Sequence, residues 1–188
     1  SEVLGITLTK RANGAASSVP LAGFPYHALD QYVYKLLNAG HRVAICEQVE
    51  DPKKSKGIVK REVVQILSPG TAISEKYLSH NQNNYLGSIF IKGNMVGVAL
   101  MDYSTGVFFG GEWEIEKGLD LIKTYNVREI IMSEKQYESF KNLLNEDAYV
   151  VSTYQNWITD YDTSSDKIKN QFKIKSLKGF GLEEHLLA

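Results

Sequence analysis

Residues 86–113 read LGSIFIKGNMVGVALMDYSTGVFFGGEW. Lys92-Gly93-Asn94 and Ser104-Thr105-Gly106 are turn signals, and they divide the stretch into the apolar runs Leu86–Ile91, Met95–Tyr103 and Val107–Trp113. Short runs rich in Val, Ile and Phe between such turns predict strands, and connections this tight join antiparallel neighbours. The stretch is therefore a meander. Downstream the pattern changes to alternation: a helix from about Ile115 to Tyr125, a strand at Val127–Met132 and a helix at Lys135–Leu144. A strand at Ala148–Tyr154 and a helix near Asp166–Phe172 follow. The predicted sheet has antiparallel and parallel parts, with helices flanking it.

Upstream the grammar differs. Ile6 to Thr9 reads as a strand, followed by a polar turn at Asn13-Gly14. From Ala28 to Ala39 the residues Leu29, Tyr32, Val33, Leu36 and Leu37 keep the spacing of one buried helix face, and Gly40 is a good stop. Arg42–Gln48 and Val59–Leu67 read as strands, and Ser68-Pro69-Gly70 breaks the pattern. This is a small mixed α/β layer whose N-terminal portion reads as incomplete. The polar stretch Ser79–Asn84 is the expected linker, so the chain divides into a first domain over 1–78 and a second over 80–188. From Gly179 to Ala188 the sequence reads as a connection and the opening of another helix, with Leu182, Leu186 and Leu187 as an apolar face without a partner. Both ends read as cut, as in a fragment of a longer protein. The element order of the second domain resembles the ribonuclease-H-like fold.

Composition narrows the class. Of 188 residues, 43% are hydrophobic and 23% charged, as in an ordinary soluble globular protein. No apolar run approaches the ~18 residues of a membrane span, and the first ten residues lack a signal peptide's basic start and apolar stretch. Cys46, the single cysteine, forms no internal disulfide, so a cytoplasmic location is expected. Net charge is −1, but residues 1–71 hold 9 Lys+Arg against 6 Asp+Glu, while residues 72–188 hold 12 against 16. A basic first half joined to an acidic second half hints at a polyanion-facing module. Lys53, Lys54, Lys56, Lys60 and Arg61 concentrate that charge within residues 53–61.

Catalytic chemistry is poorly represented. There is no GxxxxGK[ST] phosphate loop, and His27, His41, His80 and His185 are too scattered for metal ligation. Cys46 lies in the apolar run Val43-Ala44-Ile45 and is expected to be a buried, inert thiol. One enzymatic alternative follows from the second domain: nucleases of ribonuclease-H-like fold hold paired metals on carboxylates of the sheet. Asp102 ends a central strand, with Glu112 and Glu129 as available companions. Asp102 equally suits a turn, its side chain accepting from nearby backbone N–H groups.

The strings Leu8-Thr9-Lys10-Arg11, Pro20-Leu21-Ala22-Gly23-Phe24-Pro25-Tyr26-His27 and Val43-Ala44-Ile45-Cys46-Glu47-Gln48 occur in order. Asp51-Pro52, Ser55-Lys56-Gly57, Val59, Arg61 and Ser68-Pro69-Gly70-Thr71 follow them. Asn84-Tyr85-Leu86, Leu100-Met101-Asp102-Tyr103-Ser104-Thr105-Gly106 and Leu177-Lys178-Gly179-Phe180-Gly181 complete the series. Taken together they resemble the MutS family of DNA mismatch-repair proteins, across essentially the whole chain.

The resemblance implies a mismatch-recognition domain followed by a ribonuclease-H-like connector. The family's core, clamp and ATPase domains, with ATP and Mg²⁺, lie later in its chains. It implies no cofactor, metal site or catalytic residue in this segment, double-stranded DNA containing mispairs as ligand, MutL as partner, and self-association through domains mostly absent here. The family's Phe-x-Glu motif, whose ring stacks at the mispair, is expected to precede this segment; residues 1–71 contain no Phe-x-Glu. Lys10, Arg11 and Arg61 match basic positions near the DNA backbone, where a planar guanidinium donates two bonds to one phosphate. Leu21 and Ala22, before Gly23, resemble the loop that approaches the widened minor groove. Gln48 and Lys56 are further DNA-binding candidates. Glu62 departs from the basic residue many relatives carry after Arg61, and would weaken phosphate binding if it faced DNA.

Overall fold

A computed structural model describes residues 1–13, 16–51, 57–72, 83–144 and 148–182. The chain forms two compact units, Ser1–Asn81 and Gln82–Ala188.

In the first unit, β1 (Thr9–Asn13) pairs antiparallel with β2 (Ala16–Leu21). The strand expected at Ile6–Thr9 thus begins where that prediction ended. Before it the chain turns: Gly5 and Ile6 donate to the carbonyls of Glu2 and Ser1. The second strand escaped the sequence reading because Ala16, Ser17, Ser18 and Pro20 carry little strand propensity. Pairing with β1 outweighs it, and Pro20 is tolerated opposite Lys10 because the ribbon has two strands only.

Helix α1 (Leu29–Asn38) follows a single 3₁₀ turn at Tyr26–Ala28. It ends as the sequence predicts. Gly40 takes a φ of 79°, its N–H donates to the Leu37 carbonyl, and His41 donates to Leu36, closing the helix in a Schellman pattern. Val33 and Leu37 are buried with Leu67 and Ala72, and Leu29, Val43 and Ile45 pack around them. Three of these come from β3 (Val43–Gln48) and β4 (Arg61–Leu67), a second antiparallel pair: Val43, Ile45 and Leu67. The expected mixed layer is therefore two separate two-stranded sheets, with α1 against one face of the second.

That arrangement corrects the reading of Cys46. The side chains of β3 alternate between half-buried and exposed, and Val43 and Ile45 take the α1 side. Cys46 falls on the other side and is exposed. The apolar run Val43–Ile45 concealed a strand with one bare face. In the folded chain Cys46 is expected to react stoichiometrically with a thiol-specific chromogenic disulfide before any denaturant is added; labelling that waits for unfolding would contradict this placement.

The second unit holds a sheet of five strands: β5 (Tyr85–Lys92), β6 (Met95–Asp102), β7 (Val107–Glu114), β8 (Glu129–Ser133) and β9 (Val150–Tyr154). Their order is β7-β6-β5-β8-β9. The meander pairs antiparallel, and β5, β8 and β9 pair in parallel. This is the mixed sheet that the sequence predicts for a ribonuclease-H-like domain. Gly93 and Gly106 have φ values of 62° and 75°, which is why glycine stands at each meander turn.

One sheet face carries Ile89, Ile91, Val96, Val98, Leu100, Ile130 and Met132, buried with Ile122 of α2 (Ile115–Thr124). Each such side chain contributes roughly 1.5–3 kcal/mol on burial. α3 (Glu134–Phe140) starts at Ser133, whose hydroxyl accepts from the Gln136 N–H. Gln136 also substitutes for a strand, its side-chain amide accepting from Ile91 N at 2.9 Å and donating to Ile91 O at 3.0 Å. α3 stops short of the predicted Leu144 and tightens into a 3₁₀ turn, Lys141–Leu143. α4 (Tyr161–Phe172) begins five residues earlier than predicted, because Asp160 caps it by accepting from Thr163 N. Residues 79–82 of the expected linker, and 183–188 of the expected final helix, lie outside the described residues. No described helix is long and apolar enough to cross a membrane.

Candidate nucleic-acid interface

Both hairpins of the first unit carry sequence-nominated residues. In β1 the register sets Thr9 opposite Leu21, Lys10 opposite Pro20 and Arg11 opposite Val19. The Thr9 hydroxyl donates to the Leu21 carbonyl at 2.9 Å, fixing the strand end from which Ala22 and Gly23 continue. Lys10, Leu21 and Ala22 are exposed. Leu21 is 44% exposed, which removes it from any core of this unit.

The β3–β4 hairpin brings two candidates together. Gln48, the last residue of β3, lies directly opposite Arg61, the first of β4. Directly opposed residues project from the same face, so both exposed side chains stand on the side away from α1. Cys46–Val63 and Ala44–Ile66 continue that face, and Val63 and Ile66 are exposed. The connection that joins Gln48 to Arg61 contains Lys53, Lys54, Lys56 and Lys60. Lys56 itself lies outside the described residues.

Glu62 sits on the opposite side from Arg61, since neighbouring strand residues alternate. It faces Glu47 across the strands, and Lys60 Nζ reaches its carboxylate at 2.5 Å. Lys60 N also donates to the Glu50 carboxylate at 3.1 Å. Both members of the Lys60–Glu62 pair are more than half exposed, so it adds little stability. Its consequence is electrostatic: the Glu62 carboxylate has Lys60 beside it and lies off the Gln48–Arg61 face.

In the second unit the candidate carboxylates are kept apart. Asp102 is fully buried opposite Tyr85 and Val107. It accepts from Ser104 N at 2.8 Å, Ser104 Oγ at 2.6 Å and Asn84 N at 3.3 Å. Burial by itself pushes the carboxyl up. The bonds from the Ser104 side chain and backbone, the Asn84 N–H and the Thr105 hydroxyl outweigh it and hold the group below its ordinary value of 3.8. Of the two roles open to Asp102, the geometry is that of the turn former.

Glu129 lies opposite Leu86, on the other sheet face, where Ser152 Oγ donates to it. Glu112 shares that face, opposite Gly97, but stands three strands and four residues away from Glu129. Strand spacing and rise convert that offset into roughly 14 Å across and 13 Å along the sheet. No two of these carboxylates meet at one site. Among the described residues no group of three or more His, Cys, Asp or Glu gathers closely enough to hold a metal ion.

Comparison with known proteins decides the lineage. The model for MutS domain I matches residues 1–76, and that for MutS domain II matches residues 84–188. The chain belongs to the MutS family. It is 42% identical over 188 residues to the DNA mismatch repair protein MutS of Porphyromonas gingivalis, covering all of this chain and 21% of that protein. It is 41% identical over 186 residues to MutS of Cytophaga hutchinsonii, covering 99% of this chain and 22% of that protein. For MutS of Phocaeicola vulgatus the identity is 41% over 183 residues, with 97% and 21% covered. The chain thus spans about a fifth of the length of these relatives. It comprises MutS domains I and II, the second being the connector, and does not include the family's ATPase domain.

Proposed function

We propose that the first unit of this MutS segment holds duplex DNA by its backbone and minor groove beside a mispair. The Gln48–Arg61 pair carries the reading: a guanidinium and an amide stand together, exposed, at the hairpin end whose connection holds four lysines. Arg61 and Arg11 bind phosphates, Lys10 and Lys56 add positive charge, and Gln48 donates a side-chain amide to the backbone. Leu21 and Ala22, exposed at the end of β2, lean on the widened minor groove. The connector relays this contact to the ATPase of the whole protein, where ATP and Mg²⁺ act, and offers a surface to MutL. Self-association rests on parts of the protein outside this segment. A protein acting on a bacterial chromosome does this work in the cytoplasm.

The test is direct. In fluorescence anisotropy with a labelled mispaired duplex, Arg11→Ala plus Arg61→Ala is expected to weaken binding by roughly tenfold or more, each phosphate contact being worth about 1 kcal/mol. The log–log salt slope is expected to flatten by about 2. Unchanged affinity and slope would overturn the reading.

A further inference from the structure

The loop that leaves β2 is held at both ends. At one end the Thr9 hydroxyl donates to the Leu21 carbonyl. At the other, Phe24 lays its ring on Tyr32 of α1, with centroids 4.3 Å apart and planes at 30°. Between these points Leu21, Ala22 and Gly23 are exposed, and a Cβ added at Gly23 would meet nothing within 4 Å among the described residues.

We propose that Phe24 and Tyr32 are positioning residues for DNA: their stack moors the Leu21–Ala22–Gly23 loop to α1 and presents it to the minor groove in one conformation. The inference rests on the reading above that Leu21 and Ala22 meet DNA.

Tyr32 offers a rigid support. It precedes Val33, and Val33 and Leu37 anchor α1 in the core of this unit. Tyr32 itself is half-buried on the flank of that apolar stripe, where Phe24 covers it. Lys35, three residues on and so on the same side of the helix, sets its Nζ 5.2 Å from the centroid of the Tyr32 ring. That cation–π contact helps to hold the ring in place. The chain also stiffens directly after Phe24. Pro25 has its φ fixed at −62°, and its carbonyl accepts from the Ala28 N–H at 2.9 Å, opening the 3₁₀ turn that leads into α1.

Gly23 is therefore the soft link in a fastened segment. Glycine loses more backbone freedom on being ordered than any other residue. With the stack in place much of that loss falls on folding rather than on DNA binding, which is how preorganisation raises affinity.

A stack that only supports the fold and one that aims the loop predict different results, and two substitutions separate them. Tyr32→Leu keeps an apolar, helix-forming side chain but removes the ring, whereas Tyr32→Phe keeps the ring. In the free 188-residue chain the ¹⁵N–{¹H} NOE of the Gly23 amide is expected to fall in Tyr32→Leu and to hold its parent value in Tyr32→Phe. In fluorescence anisotropy with the labelled mispaired duplex, Tyr32→Leu is expected to weaken binding about threefold to tenfold, the range for losing an aromatic pair. The log–log salt slope should stay that of the parent, because the loop contact is apolar. Tyr32→Phe is expected to bind as the parent does. Added to Leu21→Ser, Tyr32→Leu is expected to cost nothing further, since both act through one contact.

Parent affinity or an unmoved NOE in Tyr32→Leu overturns the proposal, as does full additivity with Leu21→Ser. A loss accompanied by a flattened slope overturns it too, because the phosphate contacts then fall as well and Tyr32 merely supports the unit. If Leu21→Ser and Ala22→Ser, with the stack intact, leave the parent affinity unchanged, the minor-groove reading itself fails and the proposal falls with it.

Discussion

Asp102→Ala is expected to destabilise the second unit by about 3 kcal/mol, read from urea denaturation of the chain. The carboxylate is fully buried and satisfies N–H groups of Asn84 and Ser104 as well as the Ser104 hydroxyl. Alanine removes the buried acceptor and with it three charge-assisted bonds that close the turn and hold Asn84 to it. Asp102→Asn keeps one acceptor oxygen and is expected to cost less. The pH dependence has a definite sign. Because the folded carboxyl lies below its ordinary value of 3.8, its contribution is fully present above that value and fades as pH falls through the lower, folded one. The difference between parent and Asp102→Asn is therefore expected to shrink as pH is lowered from about 5 towards 2. A change within about 0.5 kcal/mol for the alanine variant would show that the turn does not depend on this carboxylate.

Gly118→Ala is expected to destabilise the chain, against helix propensity. In an open α-helix the exchange would stabilise by about 1 kcal/mol. Here α2 presses directly on β6: a Cβ at Gly118 would meet Val96 Cγ1 at 2.2 Å and Val98 Cγ2 at 3.4 Å. Val96 is fully buried between strand and helix, so it has no free space into which to retreat. Overpacking of this kind costs about 1–3 kcal/mol. Adding Val96→Ala should make Gly118→Ala less harmful than it is alone, since the two changes share one volume. A stabilised Gly118→Ala chain, or full additivity with Val96→Ala, would show that α2 can lift away from the sheet at no cost.

What the sequence disclosed follows the physics of each segment. The meander was legible because Gly93 and Gly106 must take positive φ, and those glycines separate the apolar runs. Helix α1 was legible at both ends of its apolar stripe, from Leu29 to the Gly40 stop. β2 was not, because Ala16–Leu21 becomes a strand through pairing rather than through its own residues. The first turns of α4 were missed for lack of apolar periodicity, although Asp160 and Thr163 form a recognisable cap. Cys46 was misjudged because an apolar strand on a two-stranded ribbon has a side that no helix covers.

At the candidate interface, each residue was nominated by resemblance, but its surroundings were not in the pattern. That Gln48 and Arg61 share a face, and that Glu62 takes the other, depends on a register with an irregularity between Ile45 and Cys46. A one-residue slip inverts every such assignment, and the sequence leaves that slip undetermined.

The proposed grip of this MutS segment on DNA is on the backbone. Binding of the chain to a labelled duplex, with and without a mispair, over a range of salt concentrations tests it most directly. With about four phosphate contacts, from Lys10, Arg11, Lys56 and Arg61, the log–log slope is predicted to lie near −3 to −4, a loss of about a hundredfold between 50 and 200 mM salt. The two duplexes are predicted to bind alike, since residues 1–71 hold no Phe-x-Glu. Salt-insensitive binding, or clear preference for the mispair, would contradict the account.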